Sequence, residues 1–310
     1  MPATTLPQLT GEDVYLTDGG LETTLLFLEG LDLPDFAAFP LLDSDEGTAA
    51  LDRYYAPYLD LAERVGRGFV LDTPTWRASS DWGTRLGYDD HALGEVNRRA
   101  VDYLAGLADA RQSLTTVLNG VVGPRGDGYL VGDVMTPEEA AEYHTLQARA
   151  FAAGGAQMMT AVTMTYAAEA IGIVDAATAA GLPVVLSFTV ETDGRLPSGQ
   201  QLADAVAEVD AATDGAAAYF MVNCAHPTHF EGVLDPGSSW LERVKGVRAN
   251  ASTMSHAELD EATELDRGDV PTLARHYREL RKILPDMRVA GGCCGTDDAH
   301  IAAIADELRQ

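Results

Sequence analysis

The chain has few of the features that mark several large classes of protein. No apolar run among its 310 residues approaches the length of a membrane span, and the first residues lack the basic and apolar regions of a secretion signal. Lysine occurs only as Lys245 and Lys282, and no basic cluster offsets a net charge of −27. The sequence therefore predicts a cytoplasmic protein that binds neither nucleic acid nor an anionic membrane.

Cysteine is equally scarce, with three residues in the whole chain. Cys293 and Cys294 are adjacent in the segment GGCCG, and Cys224 follows an apolar run in the segment VNCAHP. Three thiolates bind zinc well and leave the fourth tetrahedral position open, as a catalytic ion needs. Core cysteines and a redox disulfide between the adjacent pair are the alternatives. The flanking glycines favour the metal site, because they remove bulk where a ligand must approach.

Strand and helix signals alternate along the chain, and 46% of the residues are hydrophobic, enough for a substantial core. Short apolar runs predict strands at residues 14–17, 68–71, 115–118, 157–164, 183–188, 218–222, 246–249 and 288–290. Predicted helices between them include residues 49–65, 93–111, 137–153 and 271–283. Eight βα units predict a single (β/α)₈ TIM-barrel domain over residues 1–310, with a doubly wound open sheet as the alternative.

In such a barrel, active sites form at the carboxyl ends of the strands. The residues that fall at the predicted strand ends are Asp18, Thr73, Asn119, Cys224, Asn250, Cys293 and Cys294. Residues 27–44 are predicted to form a long loop over this face, and residues 250–269 a second excursion. Thr136 is predicted to begin a helix because proline and acidic residues follow it. Asp297 is predicted to begin the last helix because acidic residues are favoured at a helix N-terminus.

Three of these motifs together resemble the zinc-dependent homocysteine S-methyltransferases, which include the betaine–homocysteine and S-methylmethionine–homocysteine enzymes. They are DGG at residues 18–20, NC at residues 223–224 and GGCCG at residues 291–295. The resemblance spans nearly the whole chain and implies a (β/α)₈ barrel with Zn²⁺ held by Cys224, Cys293 and Cys294. It also implies methyl transfer from an onium donor to a thiol, homocysteine giving methionine, as in methionine biosynthesis.

The implied chemistry has a simple physical basis. A free thiol is mostly protonated at pH 7, since its pKa is about 8.5. Coordination to zinc removes that proton. Three thiolates already over-neutralise Zn²⁺, so the acceptor sulfur keeps the electron density it needs to attack a methyl group. Neither a redox change nor an organic cofactor is required.

The resemblance also suggests substrate-binding residues. Asp18 matches the acidic position that holds the amino-acid part of the thiol substrate, although DGG could also be a plain tight turn. The other candidates are Gly19, Glu22, Thr73, Trp76, Thr163, Asn223 and Asn250. Trp76 would offer a cation–π surface to an onium donor, and Glu22 would bind a cation or cap the following helix.

The chain departs from the family pattern around the substrate. Val162 stands where the family has a glutamate that meets the homocysteine amine, so that carboxylate is missing unless Glu169 or another acid replaces it. Arg248-Ala249-Asn250 stands in place of Tyr-Pro-Asn, and Trp76 displaces the usual aromatic after the second strand. A different acceptor thiol is therefore an alternative to homocysteine.

Other functions remain open at this stage. A zinc- or thiol-binding regulator would keep the cysteines without turnover. A Schiff-base aldolase would need a lysine at a strand end, where neither lysine lies. His226 is an alternative metal ligand, but histidines beside a site more often lie outside the ligand set. The sequence also leaves a homo-oligomer and adaptation to high salt open.

Overall fold

The structure is a computed structural model that describes residues 5–309. Eight parallel strands form a closed barrel in which each strand pairs with its neighbours in chain order and β8 returns to β1. The strands are β1 (Tyr15–Leu16), β2 (Phe69–Asp72), β3 (Thr116–Val122), β4 (Met158–Met164), β5 (Val184–Phe188), β6 (Tyr219–Asn223), β7 (Val244–Ala249) and β8 (Val289–Gly292). The predicted (β/α)₈ barrel is confirmed, and the open sheet is excluded.

Helices surround the barrel and connect its strands. They are α1 (Leu21–Thr23), α2 (Asp45–Val65), α3 (Ser80–Arg85), α4 (Asp90–Asp109), α5 (Pro137–Gly154), α6 (Ala167–Ala180), α7 (Leu202–Ala212), α8 (Pro227–Phe230), α9 (His256–Glu261), α10 (Val270–Ile283) and α11 (Asp298–Glu307). Thr136 and Asp297 begin α5 and α11, as the sequence predicted, and in the structure each forms a reciprocal side-chain cap. Within residues 5–309, no helix is long and apolar enough to cross a membrane.

The two ends of the barrel interior differ in chemistry. A bottom layer of apolar side chains fills the end where the strands begin; its buried members are Leu6, Val70, Val117, Met158, Val185, Tyr219, Met221 and Val289. Every residue of β4 is buried, as expected for a parallel strand covered on both faces. The opposite end, where the strands finish, carries polar and charged side chains around a cavity.

Several strand boundaries differ from those predicted. β3 continues to Val122, so Asn119 lies inside the strand and not at its end. There it stands opposite Asp72 in the β2–β3 register. The apolar residues Val121 and Val122 extend the strand because they are buried against the neighbouring elements. Asn119 therefore points into a polar network below the cavity, and its predicted place at a strand end was wrong.

The two predicted excursions are confirmed as connections over the functional face, each with short helices. A π-helix (Thr24–Leu28) and 3₁₀-helices (Pro34–Phe36 and Phe39–Asp43) occupy the first. The second contains α9. Both contribute side chains to the cavity, including Phe36 and Leu259.

Candidate metal centre and substrate cavity

A cavity of about 420 Å³ opens at the carboxyl ends of the strands. Residues at the ends of seven strands, all except β5, reach it, together with side chains from the long connections. This is the end at which (β/α)₈ enzymes hold their active sites, because the strand-to-helix loops converge there. All the sequence-predicted site residues line this cavity: Asp18, Gly19, Glu22, Thr73, Trp76, Thr163, Cys224, Asn223, Asn250, Cys293 and Cys294.

The three cysteines form one cluster, here called the cysteine cluster (Cys224, Cys293, Cys294). Their sulfur atoms all lie within 4.8 Å of one another, and Cys224 Sγ is 3.4 Å from Cys294 Sγ. Sulfur ligands at about 2.3 Å around a tetrahedral Zn²⁺ are separated by about 3.8 Å. The donor set therefore fits a thiophilic metal ion, and three ligands leave one tetrahedral position free.

Close backbone packing holds the cluster in place. The DGG turn after β1 packs against the GGCCG turn after β8. A Cβ atom on Gly20 would lie 2.7 Å from the Cys293 carbonyl oxygen, so a larger residue would push the two turns apart. Gly20 N also donates to the Thr296 carbonyl at 3.0 Å. Gly19, Gly20 and Gly291 thus allow the two turns to approach, whereas a Cβ on Gly292 would collide with Thr296 of its own turn.

Cys224 occupies an unusual backbone conformation. Its φ of 53° lies in the left-handed region, which a non-glycine residue rarely adopts. Its N–H donates to the Arg248 carbonyl at 3.0 Å, and its carbonyl accepts from His256 Nε2 at 3.1 Å. These contacts keep the backbone in a conformation that turns the sulfur toward β8.

The thiols influence one another's protonation. Hydrogen bonds from the Cys293 and Cys294 thiols lower the pKa of Cys224 well below its usual value. The same contacts raise the pKa of Cys293 to about 12 and that of Cys294 well above the usual range. Cys224 is therefore the cysteine of the cluster that ionises first, and a bound cation would favour release of the other two protons.

Tyr129 covers the cluster from the β3–α5 connection. Its hydroxyl oxygen lies 3.1 Å from Cys224 Sγ and 3.7 Å from Cys294 Sγ. Burial and the neighbouring Cys224 raise the pKa of Tyr129 well above 10, so its hydroxyl stays protonated and donates to the Cys224 thiolate. The His256 ring stacks on Tyr129 with centroids 4.0 Å apart and fixes its position.

Asn223 links the cluster to β4 and β5. Its Oδ1 accepts from Thr163 N at 2.8 Å and from Ser187 Oγ at 2.7 Å, while its Nδ2 donates to Thr163 Oγ1 at 3.0 Å. Nδ2 also lies 3.8 Å from Cys293 Sγ. These bonds hold Thr163 at a φ of 63°. Asn223 and Thr163 are therefore fixed by each other, at the wall of the cavity.

A buried ion-pair network forms the floor beside the cluster. Arg248 Nη2 donates to Asp18 Oδ1 at 2.5 Å, and Arg248 Nη1 pairs with Asp72 Oδ2. Tyr54 OH donates to Asp18 Oδ2 at 3.0 Å, and Asn119 Nδ2 to Asp72 Oδ1 at 2.6 Å. Burial alone would lower the pKa of Arg248, but the Asp72 and Asp18 carboxylates raise it. Burial raises the pKa of Asp18 to about 7, against the attraction of Arg248.

Glu22 differs from the other inner acids. Its side chain lines the cavity, yet within residues 5–309 no side chain hydrogen-bonds its carboxylate or lies at ion-pair distance. Burial is the main reason that the pKa of Glu22 is raised to about 7; the nearby Cys293 and Asp18 act in the same direction, and a hydrogen bond from its own backbone N–H opposes them. It is therefore an unpaired acid next to the cysteine cluster.

The side chains of two other predicted residues, Thr73 and Trp76, already contact neighbouring side chains. Thr73 Oγ1 accepts from Val121 N at 2.8 Å and contacts Thr75 Oγ1 at 2.6 Å. The Arg77 guanidinium lies 4.3 Å from the centroid of the Trp76 ring, and Arg77 also stacks on Trp82 at 3.7 Å. One face of Trp76 is therefore taken by a cation of the protein itself.

Asn250 keeps its predicted place just after β7. Its Nδ2 lies 3.8 Å from Cys224 Sγ, and its Oδ1 accepts from Ser252 N at 3.0 Å. It therefore touches the cluster and orders the loop that follows.

Two alternatives raised by the sequence are not supported. Glu169 does not line the cavity; its carboxylate is buried with His144 Nε2 at 3.0 Å and Arg125 N at 2.7 Å. His226 Nδ1 bonds Thr228 Oγ1 at 2.8 Å, and the ligand cluster found within residues 5–309 consists of cysteines alone. Glu169 anchors the start of the connection that carries Tyr129.

Sequence reasoning missed Tyr129 and the acids of the rim. The rim acids are Asp127, Asp260, Glu264 and Asp266. Tyr129 lies in the segment between β3 and α5, where no strand end or motif marks it. The two glycines and aspartate at residues 126–128 beside it are a composition typical of a turn and carry no sign of a site.

Comparisons with known proteins agree with this geometry. The family model for homocysteine S-methyltransferase matches residues 15–308. No curated protein matches the sequence. Among solved structures, the oxidized form of the homocysteine methyltransferase MmuM from Escherichia coli is similar, with a TM-score of 0.73 and 22% identity over 97% of both chains.

Two further forms of the same E. coli enzyme are also similar. The metallated form has a TM-score of 0.69 and 21% identity over 96% of both chains. The apo form has a TM-score of 0.65 and 21% identity over 95% of this chain and 96% of that one. At these identities the structural likeness establishes the fold, while the match over nearly the whole sequence establishes the family. The chain is a member of the homocysteine S-methyltransferase family and an S-methyltransferase that acts on homocysteine.

Proposed function

We propose that the protein is a zinc-dependent methyltransferase that moves a methyl group from a cationic sulfonium or quaternary ammonium donor to homocysteine, giving methionine. The observation that carries this proposal is the convergence of three cysteine sulfurs within 4.8 Å at the floor of a 420 Å³ cavity. Zn²⁺ bound there would supply Lewis acidity that keeps the acceptor sulfur deprotonated at neutral pH. Free thiols in all three positions suit a reducing cytoplasm.

The chain's own residues hold and orient the ligands. Asn223 and Asn250 place amide N–H groups 3.8 Å from Cys293 Sγ and Cys224 Sγ. Such outer contacts orient ligands and reduce the charge that gathers on three thiolates. Tyr129 covers the cluster and limits access of water to the sulfur atoms.

The charge of the cavity favours a cationic donor. Seven acids line it, against the two arginines Arg77 and Arg248. Arg248 is already paired with two of these acids, and Arg77 lies 3.8 Å from Asp127. The remaining negative charge attracts an onium methyl donor and concentrates it at the mouth.

The transfer balances without a redox partner. The acceptor sulfur forms a bond to the methyl carbon while the donor's C–S or C–N bond breaks. The electron pair of that bond stays on the departing group, which leaves as a neutral sulfide or amine. The acceptor's thiol proton is released to solvent when the sulfur binds.

The test is a screen of purified, zinc-loaded protein with homocysteine and a panel of sulfonium and quaternary ammonium donors, with methionine measured by mass spectrometry. We expect methionine with at least one donor, loss of turnover after chelation, and recovery on adding Zn²⁺. Absence of product with every donor, in protein shown to hold one zinc per chain, would contradict the proposal.

A further inference from the structure

We propose that Glu22 binds the ammonium group of the acceptor and thereby selects amino-acid thiols over thiols that lack an amine. This inference rests on the proposed function, because it names the group that recognises the acceptor of that reaction. It assigns to Glu22 the role that the sequence alone would give to Asp18.

Glu22 is available for a ligand. It lies in the first turn of α1, directly after the DGG turn, and its carboxylate borders the cavity. Within residues 5–309, no side chain hydrogen-bonds it or lies at ion-pair distance. A carboxylate that is largely removed from water gains much from a cationic partner, because burial without one is unfavourable.

Its position matches the length of the acceptor. Three carbon atoms separate the sulfur of homocysteine from its ammonium group, so the amine must fall close to the cysteine cluster once the sulfur is bound there. Glu22 and Cys293 border the same cavity. DGG and GGCCG are also in direct backbone contact, which places α1 beside the cluster.

Asp18 is already engaged within the protein. Its Oδ1 accepts from Arg248 and its Oδ2 from Tyr54. An ammonium group at Asp18 would have to displace or crowd the buried guanidinium, bringing two cations together at one carboxylate. The wall position at Val162 adds no charge. Glu22 is therefore the inner acid that can meet the amine without breaking an existing pair.

The rim acids are less suited to this role. Asp260 and Glu264 are exposed and lie on the connection that contains α9, whereas Glu22 is partly buried. Exposed carboxylates interact with a cation through water and give little selectivity. The half-buried rim acids Asp127 and Asp266 are already engaged, by Arg77 and by Ser252 Oγ. We therefore assign the rim acids to general attraction of cations and Glu22 to recognition of one ammonium group.

The experiment compares two acceptors in the zinc-loaded enzyme: homocysteine and 4-mercaptobutanoate, which is homocysteine without its amine. Their dissociation constants are measured by calorimetry and their KM and kcat values by product analysis, for the natural protein and for Glu22→Gln. We expect Glu22→Gln to weaken the binding of homocysteine by about 10- to 100-fold, as loss of a charge-assisted hydrogen bond does. Binding of 4-mercaptobutanoate should change by less than about threefold.

Two further variants serve as controls. Glu264→Gln removes the same charge from the rim and should change both acceptors by the same factor. Glu22→Asp keeps the charge on a shorter side chain and should recover part of the preference for homocysteine. Thermal unfolding of each variant confirms that it is folded.

The inference is overturned if Glu22→Gln weakens the binding of both acceptors equally, weakens the binding of the methyl donor alone, or leaves the binding of both acceptors unchanged. These outcomes differ from failure of the proposed function, in which the natural zinc-loaded protein would give no methionine with any donor.

Discussion

The two ends of the barrel interior are stabilised by different kinds of interaction. At the end where the strands begin, the bottom layer is apolar, and Gln8 Nε2 closes it by donating to Tyr219 OH at 3.1 Å and to Met158 Sδ at 3.2 Å. At the other end, Arg248, Asp18 and Asp72 are buried together beside three thiols. The first arrangement stabilises by removing apolar surface from water. The second holds desolvated charges that are tolerated only while each keeps its partner.

The largest effect expected from this difference is at the cysteine cluster. Replacing Cys293 by serine removes one of three soft ligands, and serine oxygen is a poor substitute at neutral pH. Loss of a residue that contacts a ligand, but not the metal, lowers activity by up to about 100-fold. We expect loss of a ligand itself to lower turnover by more than this. Zinc per chain, measured by elemental analysis, should fall in parallel. Full metal content with normal turnover would refute the assignment.

Disruption of the buried ion-pair network should strongly lower the free energy of unfolding. Arg248→Met leaves two buried carboxylates without their cation, and breaking a buried pair in this way costs about 3–5 kcal/mol of unfolding free energy. Denaturant titration measures this loss. Adding Asp72→Asn to the variant should restore part of it, because one uncompensated charge is removed. No recovery in the double variant would argue that packing, and not charge, is what Arg248 contributes.

A substitution in the bottom layer should lower stability but leave the metal site and the substrate cavity unaffected. Met158 is 1% exposed, and Met158→Ala leaves a cavity that lowers the unfolding free energy by about 2–5 kcal/mol. Because the residue lies at the opposite end from the cysteine cluster, zinc content and KM should stay as in the natural protein. A shift in either quantity would show that the two ends are coupled through the barrel.

Acceptor binding should depend on pH in a direction set by Glu22. Since burial raises its pKa to about 7, Glu22 is mostly ionised at pH 8 and mostly protonated at pH 6. Only the ionised form pairs with an ammonium group. We expect the dissociation constant of homocysteine, relative to that of 4-mercaptobutanoate, to rise by about tenfold from pH 8 to pH 6.

Two controls accompany the pH series. Asp18 titrates in the same range, since burial also raises its pKa to about 7, and the amine-free acceptor corrects for it. Glu22→Gln should show no relative change with pH. A persistent tenfold change in that variant would assign the dependence to another group.

The smallest effect concerns the hydroxyl of Tyr129. Tyr129→Phe removes one donor to the Cys224 thiolate, a loss of about 1 kcal/mol. The pKa of Cys224 in the metal-free protein should therefore rise by somewhat less than one. The pH dependence of its alkylation rate measures this change, with Tyr143→Phe, remote from the cluster, as the matched control. An unchanged profile would mean that Tyr129 does not donate to the sulfur.

Local signals in the sequence were sufficient for much of the architecture. Short apolar runs separated by helical stretches predicted all eight strands, because buried parallel strands need continuous apolar residues. Thr136 and Asp297 marked helix starts through side-chain caps that depend on neighbours three residues away. The division into a single domain over residues 1–310 stays a prediction.

Boundaries and long-range partners were harder to predict. Asn119 was misplaced because the end of β3 depends on what packs against Val121 and Val122. Glu169 was a candidate substitute for the missing acid, yet it pairs with His144 across the α5–α6 contact. Tyr129 carried no signal at all, since its position depends on stacking against His256, 127 residues later in the chain.

The sequence by itself determined the barrel, the three cysteines proposed as metal ligands and the family, because these follow from periodicity and from short motifs of scarce residues. Only the tertiary structure decided which acids are free. Asp18 and Glu22 are four residues apart and chemically alike, but a guanidinium from β7 reaches one and not the other. Ion pairing acts between side chains that meet in space, so the charge available to a substrate is a property of the folded barrel.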